Sequence, residues 1–151
     1  MKWSNKMSQR FDMETVAPVG YKAMIGLEMY LAKISLNHTQ KELIKLRASQ
    51  INGCAFCLDM HSKDALKYGE TVQRIVLLNA WPEAEVFSAE EKALLAMVEE
   101  ITLISEHGLS DETYQVAQQF FSETQIGEII MATVVINAWN RIAISTNKAL
   151  G

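Results

Sequence analysis

The chain is poor in the residues that punctuate or cross-link a fold. It has only 2 cysteines and 2 prolines, with 7 glycines in 151 residues. Two cysteines cannot build a disulfide framework. So little proline and glycine does not suit a turn-dense β-sandwich or barrel. A basic excess is also missing. Lys plus Arg is 14 against 18 Asp plus Glu, a net charge of −4, so the footprint of a nucleic-acid binder is absent. Long hydrophobic runs are lacking too. The longest apolar-rich stretch, Ile129 to Ile136, contains Thr133 and falls far short of the roughly 20 residues a spanning helix needs. No membrane-crossing helix is therefore expected. The opening MKWSNKMSQRF lacks the apolar segment of a secretory signal. The expectation is a cytoplasmic protein, where thiols stay reduced unless they do redox work.

What is present suits a soluble helical domain. Apolar residues make up 49% and charged residues 21%, ordinary values for one globular domain. Residues 1–18 read as an irregular arm ending at Pro18, and residues 19–151 as a single all-α domain of about seven helices. The first helix runs from about Val19 to Ser35 and the second from about Gln40 to Ile51, capped by Asn37 or Thr39. Asn52-Gly53 breaks the chain before a third helix that ends near Tyr68-Gly69. A short segment follows, Thr71 to Ala80. Ser88 to Glu91 and Ser122 to Gln125 are capping boxes. The first opens a helix to about Glu106, and the second opens the last helix, to about Ser145. Between them another helix starts at Ser110. The β-branched content of the last segment favours a strand. Its length, and the lack of any partner strand, favour a buried helix. A helix apolar nearly all round needs cover on every side, which points to a homo-oligomer.

Both cysteines fall in Cys54-Ala55-Phe56-Cys57, and His61 follows one turn later. On a helix Cys54, Cys57 and His61 share a sector of ~60°. Asn52-Gly53 puts the cysteines in the first turn, where free N–H groups and the positive end of the helix dipole favour a thiolate. A Cys-x-x-Cys pair so placed can close and reopen as a disulfide. His61 can accept the Cys57 proton near neutral pH. Glu42, on the preceding helix, is the candidate that orients His61 if the two helices pair antiparallel about Asn52-Gly53.

Other readings compete. The cysteines could be two small buried apolar residues. With His61 they could hold zinc, a fourth ligand coming from Glu42, His38 or a neighbouring subunit, although structural zinc usually takes a second Cys or His pair. Asp59 and Asp64 read as solvated helix residues, and His38 and His107 as residues near helix ends. Trp81, Trp139 and Phe120-Phe121 read as core or interface.

The run Glu42-x11-Cys54-x2-Cys57-x3-His61 resembles the alkylhydroperoxidase D (AhpD) family of the carboxymuconolactone decarboxylase-like superfamily. Arg47, Ser49, Asn52-Gly53, Asp64-Ala65 and Gly69-Glu70 agree with it, as do Trp81, Phe87, Glu90 and Ile136 to Arg141. The resemblance covers residue 18 onward. It implies an all-helical fold, homo-oligomers (often trimers or hexamers) and peroxide reduction without metal or other cofactor. It makes Cys57 the nucleophile and Cys54 the residue that resolves its sulfenic acid to a disulfide. His61 and Glu42 become a proton relay, and an external dithiol or protein reductant restores the thiols. The enzyme that named the family carries His between its cysteines. Phe56 stands there in this chain, which removes a polar group from the site. The alternatives are a dithiol–disulfide oxidoreductase acting on a protein partner and, from another class, a non-catalytic helical oligomer, either zinc-binding or a scaffold.

Overall fold

A computed structural model describes residues 8–151. They form nine α-helices and one 3-10 turn, without a strand among them. These are α1 (Met13–Val16), α2 (Pro18–Leu31), α3 (His38–Asn52), α4 (Ala55–Lys67) and α5 (Val72–Leu77), the last continued by the 3-10 turn Leu78–Ala80. After them come α6 (Ala89–Thr102), α7 (Ile104–His107), α8 (Asp111–Gln118) and α9 (Glu123–Thr146). The capping boxes at Ser88 and Ser122 both form, and Asn37 makes a third with Gln40. Each satisfies two N–H groups that a helix start leaves open.

The architecture differs from the sequence expectation in three places. Part of the expected irregular arm is helical, because the Asp12 carboxylate caps α1 by accepting from the Glu14 and Thr15 amides; residues 1–7 of that arm lie outside the described residues. The first long helix stops at Leu31, short of Ser35. Glu128 of α9 takes the Ser35 amide at 3.1 Å and its hydroxyl at 2.6 Å, holding that turn out of the helix. The helix after Ser88 breaks at Leu103, just after Thr102, whose hydroxyl accepts from Asn137 of α9. All three causes are side-chain hydrogen bonds, two of them to α9, and periodicity does not report such contacts.

α3, α6 and α9 pack on one another and form the core, with α4 laid against α3 and α9. Leu43, Ile44, Leu46, Leu94, Met97, Ile129 and Val135 are fully enclosed there. α9 is 24 residues long and apolar enough, by length and composition, to cross a membrane. This corrects the expectation read from contiguous runs, since its polar residues are single and scattered. They are also what marks it as the central helix: Glu128, Thr133 and Asn140 are buried in the bundle, Glu128 bonded to Ser35, Asn140 to Ser49, and Thr133 back to the Ile129 carbonyl of α9 itself.

Two polar clusters fix connections between helices, the first at the α3–α4 turn. Asn52, the last residue of α3, donates at 2.9 Å to both Asn137 and Asn140 of α9, and Asn140 donates at 3.0 Å to Ser49. Gly53 then reverses the chain at φ +68°, in the left-handed region that costs glycine little. Arg74 ties α5 to α6, bonding Glu70 and Glu91 at 2.7 Å and the Val86 carbonyl, with its guanidinium over the Phe87 ring.

Candidate active site

Cys54 is the N-cap of α4, and Cys57 lies in its first turn. The turn that Asn52 pins to α9 thus sets where both sulfurs lie. The Cys57 amide donates to the Cys54 sulfur at 3.3 Å, the use of a free helix-start N–H anticipated from Asn52-Gly53. The two residues are joined as a disulfide. Both are nearly enclosed, at 1% and 2% exposure.

His61 is buried one turn beyond Cys57 on α4. Its Nδ1 lies 3.2 Å from Oε2 of Glu42 on α3, so the antiparallel α3–α4 pair brings these residues together across the turn. The two atoms are off the line of a good hydrogen bond, and neither has another partner. Lys45 places its ammonium 3.5 Å from the other Glu42 oxygen. Burial alone would push the Glu42 carboxyl up. The His61 ring and the Lys45 ammonium outweigh that and hold it below the usual carboxylate value. Glu42 therefore stays an anion behind His61 and sets a negative charge beside its ring.

Cys57 and His61 open on a cavity of about 350 Å³. Its walls come from four helices and the N-terminal segment. Tyr21 and Ile25 come from α2, Lys45 from α3, Phe56, Met60 and Asp64 from α4, and Trp139, Ile142 and Thr146 from α9. Gln9, Asp12 and Met13 close it on the remaining side. That segment is held by Arg10, whose amide bonds the Thr146 carbonyl at 2.8 Å and whose guanidinium bonds the Ser145 carbonyl at 2.8 Å. Two residues differ from their sequence reading. Trp139 is a wall of the cavity, set edge-on to Tyr21 at 5.5 Å and anchored by its indole N–H to Glu28 at 2.9 Å. Asp64 is half-buried on the cavity wall, with a carboxylate oxygen near His61 and Glu42. No local pattern distinguishes such residues from packing or solvated ones, because their neighbours come from distant helices. Trp81, by contrast, donates to Glu99 at 2.7 Å on the far side of α3, and Phe121 is core.

Among the described residues, the metal-type donors that converge are Glu42, His61 and Asp64, within 4.8 Å of one another. The cysteines are not in that group. His38, offered as a possible ligand, instead stacks on Tyr68 at 4.1 Å. With the Lys45 ammonium beside Glu42 and only one nitrogen donor, the group does not suit the usual thiolate and imidazole set of structural zinc.

The sequence profile of the carboxymuconolactone decarboxylase family matches residues 18–100. The chain belongs to that family. Among its relatives is YdfG, an uncharacterized protein of Bacillus subtilis (strain 168), 48% identical over 139 residues, or 92% of this chain and 95% of YdfG. A structure from Agrobacterium tumefaciens, a protein of unknown function suggested to be the antioxidant defence protein AhpD, superposes with a TM-score of 0.93 at 39% identity. That match covers 95% of this chain and 99% of the other. The debrominase Bmp8 shares the fold at a TM-score of 0.81 and 19% identity, over 91% of this chain and 74% of its own. The family profile and these structures place the chain in the AhpD-like carboxymuconolactone decarboxylase superfamily. The fold carries more than one chemistry, so the reaction has to be argued from the site.

Proposed function

We propose that the protein is a thiol-dependent peroxidase that reduces organic hydroperoxides with its Cys54–Cys57 pair. The observation that carries this reading is the placement of Cys57 and His61 together on one cavity of mixed apolar and charged walls, with Glu42 behind His61. In the reduced protein His61 takes the Cys57 proton, and the thiolate attacks the outer peroxide oxygen. The O–O bond breaks, and the alkoxide leaves with the proton returned by His61. Cys57 is then a sulfenic acid. Cys54 attacks it, water leaves and the disulfide forms. An external dithiol or protein reductant restores both thiols, so no bound cofactor is required. A reducing, cytoplasmic compartment suits that cycle.

The cavity in front of Cys57 admits a small oxidant, whereas a protein disulfide would have to bring its own backbone through it to reach that sulfur. That separates this reading from a dithiol–disulfide oxidoreductase acting on a protein partner. Val19, Met29 and Tyr30 leave an apolar outer side on α2, which supports the reading that the chain works as a homo-oligomer.

The test is a thiol count against time after reduced protein meets one equivalent of cumene hydroperoxide. Loss of both thiols within seconds, with one internal disulfide formed, is expected. Cys57→Ser should abolish turnover, and a variant that keeps full activity refutes the mechanism.

A further inference from the structure

The disulfide faces two separate recesses. Cys57, but not Cys54, lines the large cavity; Cys54, but not Cys57, lines a second recess of about 180 Å³. Gly53, Ile144 and Asn147 form the outer part of this second recess. Phe56, Ala143 and Lys148 line both and so make the partition. Their arrangement follows from the end of α9. Asn147 turns the chain at φ 52°, the Lys148 amide bonds back to the Ala143 carbonyl at 3.0 Å, and the Lys148 ammonium comes to rest 4.7 Å over the Phe56 ring. Lys148 is the charged side chain among those lining the second recess.

We infer that the second recess is the binding site for the thiol reductant, which attacks Cys54 while the oxidant uses the Cys57 side. This rests on the peroxidase reading only for the role of Cys57. The chemistry is in-line displacement at sulfur. The incoming thiolate bonds to the Cys54 sulfur, the Cys54–Cys57 bond breaks, and the electron pair stays on Cys57, which is protonated through His61. The second thiol of the dithiol then displaces Cys54 from the mixed disulfide. The reductant leaves as its own disulfide, and both cysteines are thiols again. Attack from the second recess drives Cys57 out on the side of the large cavity, where the next peroxide meets it. The Lys148 ammonium draws the anionic form of the incoming thiol. Phe56 seals one side from the other, so an apolar wall at that position keeps reductant and oxidant apart.

The experiment maps the attacked sulfur. Protein oxidised with diamide is treated with excess 2-mercaptoethanesulfonate, quenched in acid, capped with N-ethylmaleimide and digested for mass analysis. The expected product carries the sulfonate thiol on Cys54 and maleimide on Cys57. The thiol on Cys57, or spread evenly over both, overturns the inference. Because diamide makes the disulfide, the map is readable even if hydroperoxide fails to oxidise the protein, an outcome that refutes the peroxidase reading alone. A second measurement compares reduction rates with 2-mercaptoethanesulfonate and neutral 2-mercaptoethanol. Lys148→Met should cut the preference for the anionic thiol about three- to five-fold, the scale of one exposed charge pair. An unchanged preference removes Lys148 from the site.

Discussion

Replacing Glu42 by Gln tests the relay with little change of volume. In the native chain the Glu42 carboxylate lies 3.2 Å from His61 Nδ1 and shares its charge with Lys45 at 3.5 Å. At an effective dielectric of about 20, a bare charge pair at such a distance is worth about 4 kcal/mol. Lys45 cancels part of that field, and Gln still offers the ring a polar atom. A net loss of ~1–2 kcal/mol for a positive charge on the ring follows. The thiolate–imidazolium pair at Cys57 and His61 becomes harder to form by the same amount. The rate of thiol loss to cumene hydroperoxide at neutral pH should fall roughly 5- to 30-fold. Stopped-flow tryptophan fluorescence between pH 5 and 9 reads the rate, with circular dichroism to confirm the fold. Curves for native protein and variant that superpose across that range remove Glu42 from the relay.

Three further outcomes concern stability. Asn140→Ala strips the Ser49 hydroxyl and the Asn52 amide of a fully buried partner, and should lower the urea unfolding free energy by about 1–3 kcal/mol; a change below a few tenths contradicts the network's role. Gly53→Ala meets no atom within 4 Å but must adopt φ +68°, so it should cost about 1 kcal/mol from backbone strain alone; thermal melts that coincide with the native protein's would show that the turn relaxes. Glu42, Glu91 and Glu100 are each pushed up by burial, yet are held below the ordinary carboxylate value by their partners: His61 and Lys45, Arg74, and the Ser110 amide with Thr113. All three bind protons more weakly folded than unfolded. Their stabilisation is present above the usual carboxylate value and is lost as pH falls through their lowered folded values. Urea midpoints should therefore drop on acidification below about pH 4.5, the range where carboxylates titrate; midpoints flat from pH 6 to 3 contradict this.

Much of the fold was written in local signals. Asn37, Ser88 and Ser122 are strong helix starts whose partners lie three residues on, so the chain carries both halves of each cap within one turn. The disputed last segment is a helix because Ile129, Val135 and Ile136 pack against α3 and α6, which outweighs their strand propensity. The early stop at Leu31 and the break at Leu103 were not legible, since Glu128 and Asn137 act from positions distant in sequence. The site divides the same way. Cys54, Cys57 and His61 share one short helix, so their spacing fixes their proximity. Glu42 needed only the reversal at Gly53 to be placed beside them. Trp139, Tyr21, Asp64 and the residues around Arg10 reach the cavity through the assembly of the whole bundle, and no spacing announces them.

The bonds that shape the site span the sequence: Arg10 to Ser145 and Thr146, Glu28 to Trp139, Asn52 to Asn140. Contacts of such high sequence separation close long loops, whose entropy only the assembled bundle repays. The thiol pair is encoded in one short segment, but its pocket exists only when both ends of the fold have come together. A fragment bearing Cys54 and Cys57 is then an ordinary dithiol peptide, and the turnover of a sample counts the molecules that have finished folding.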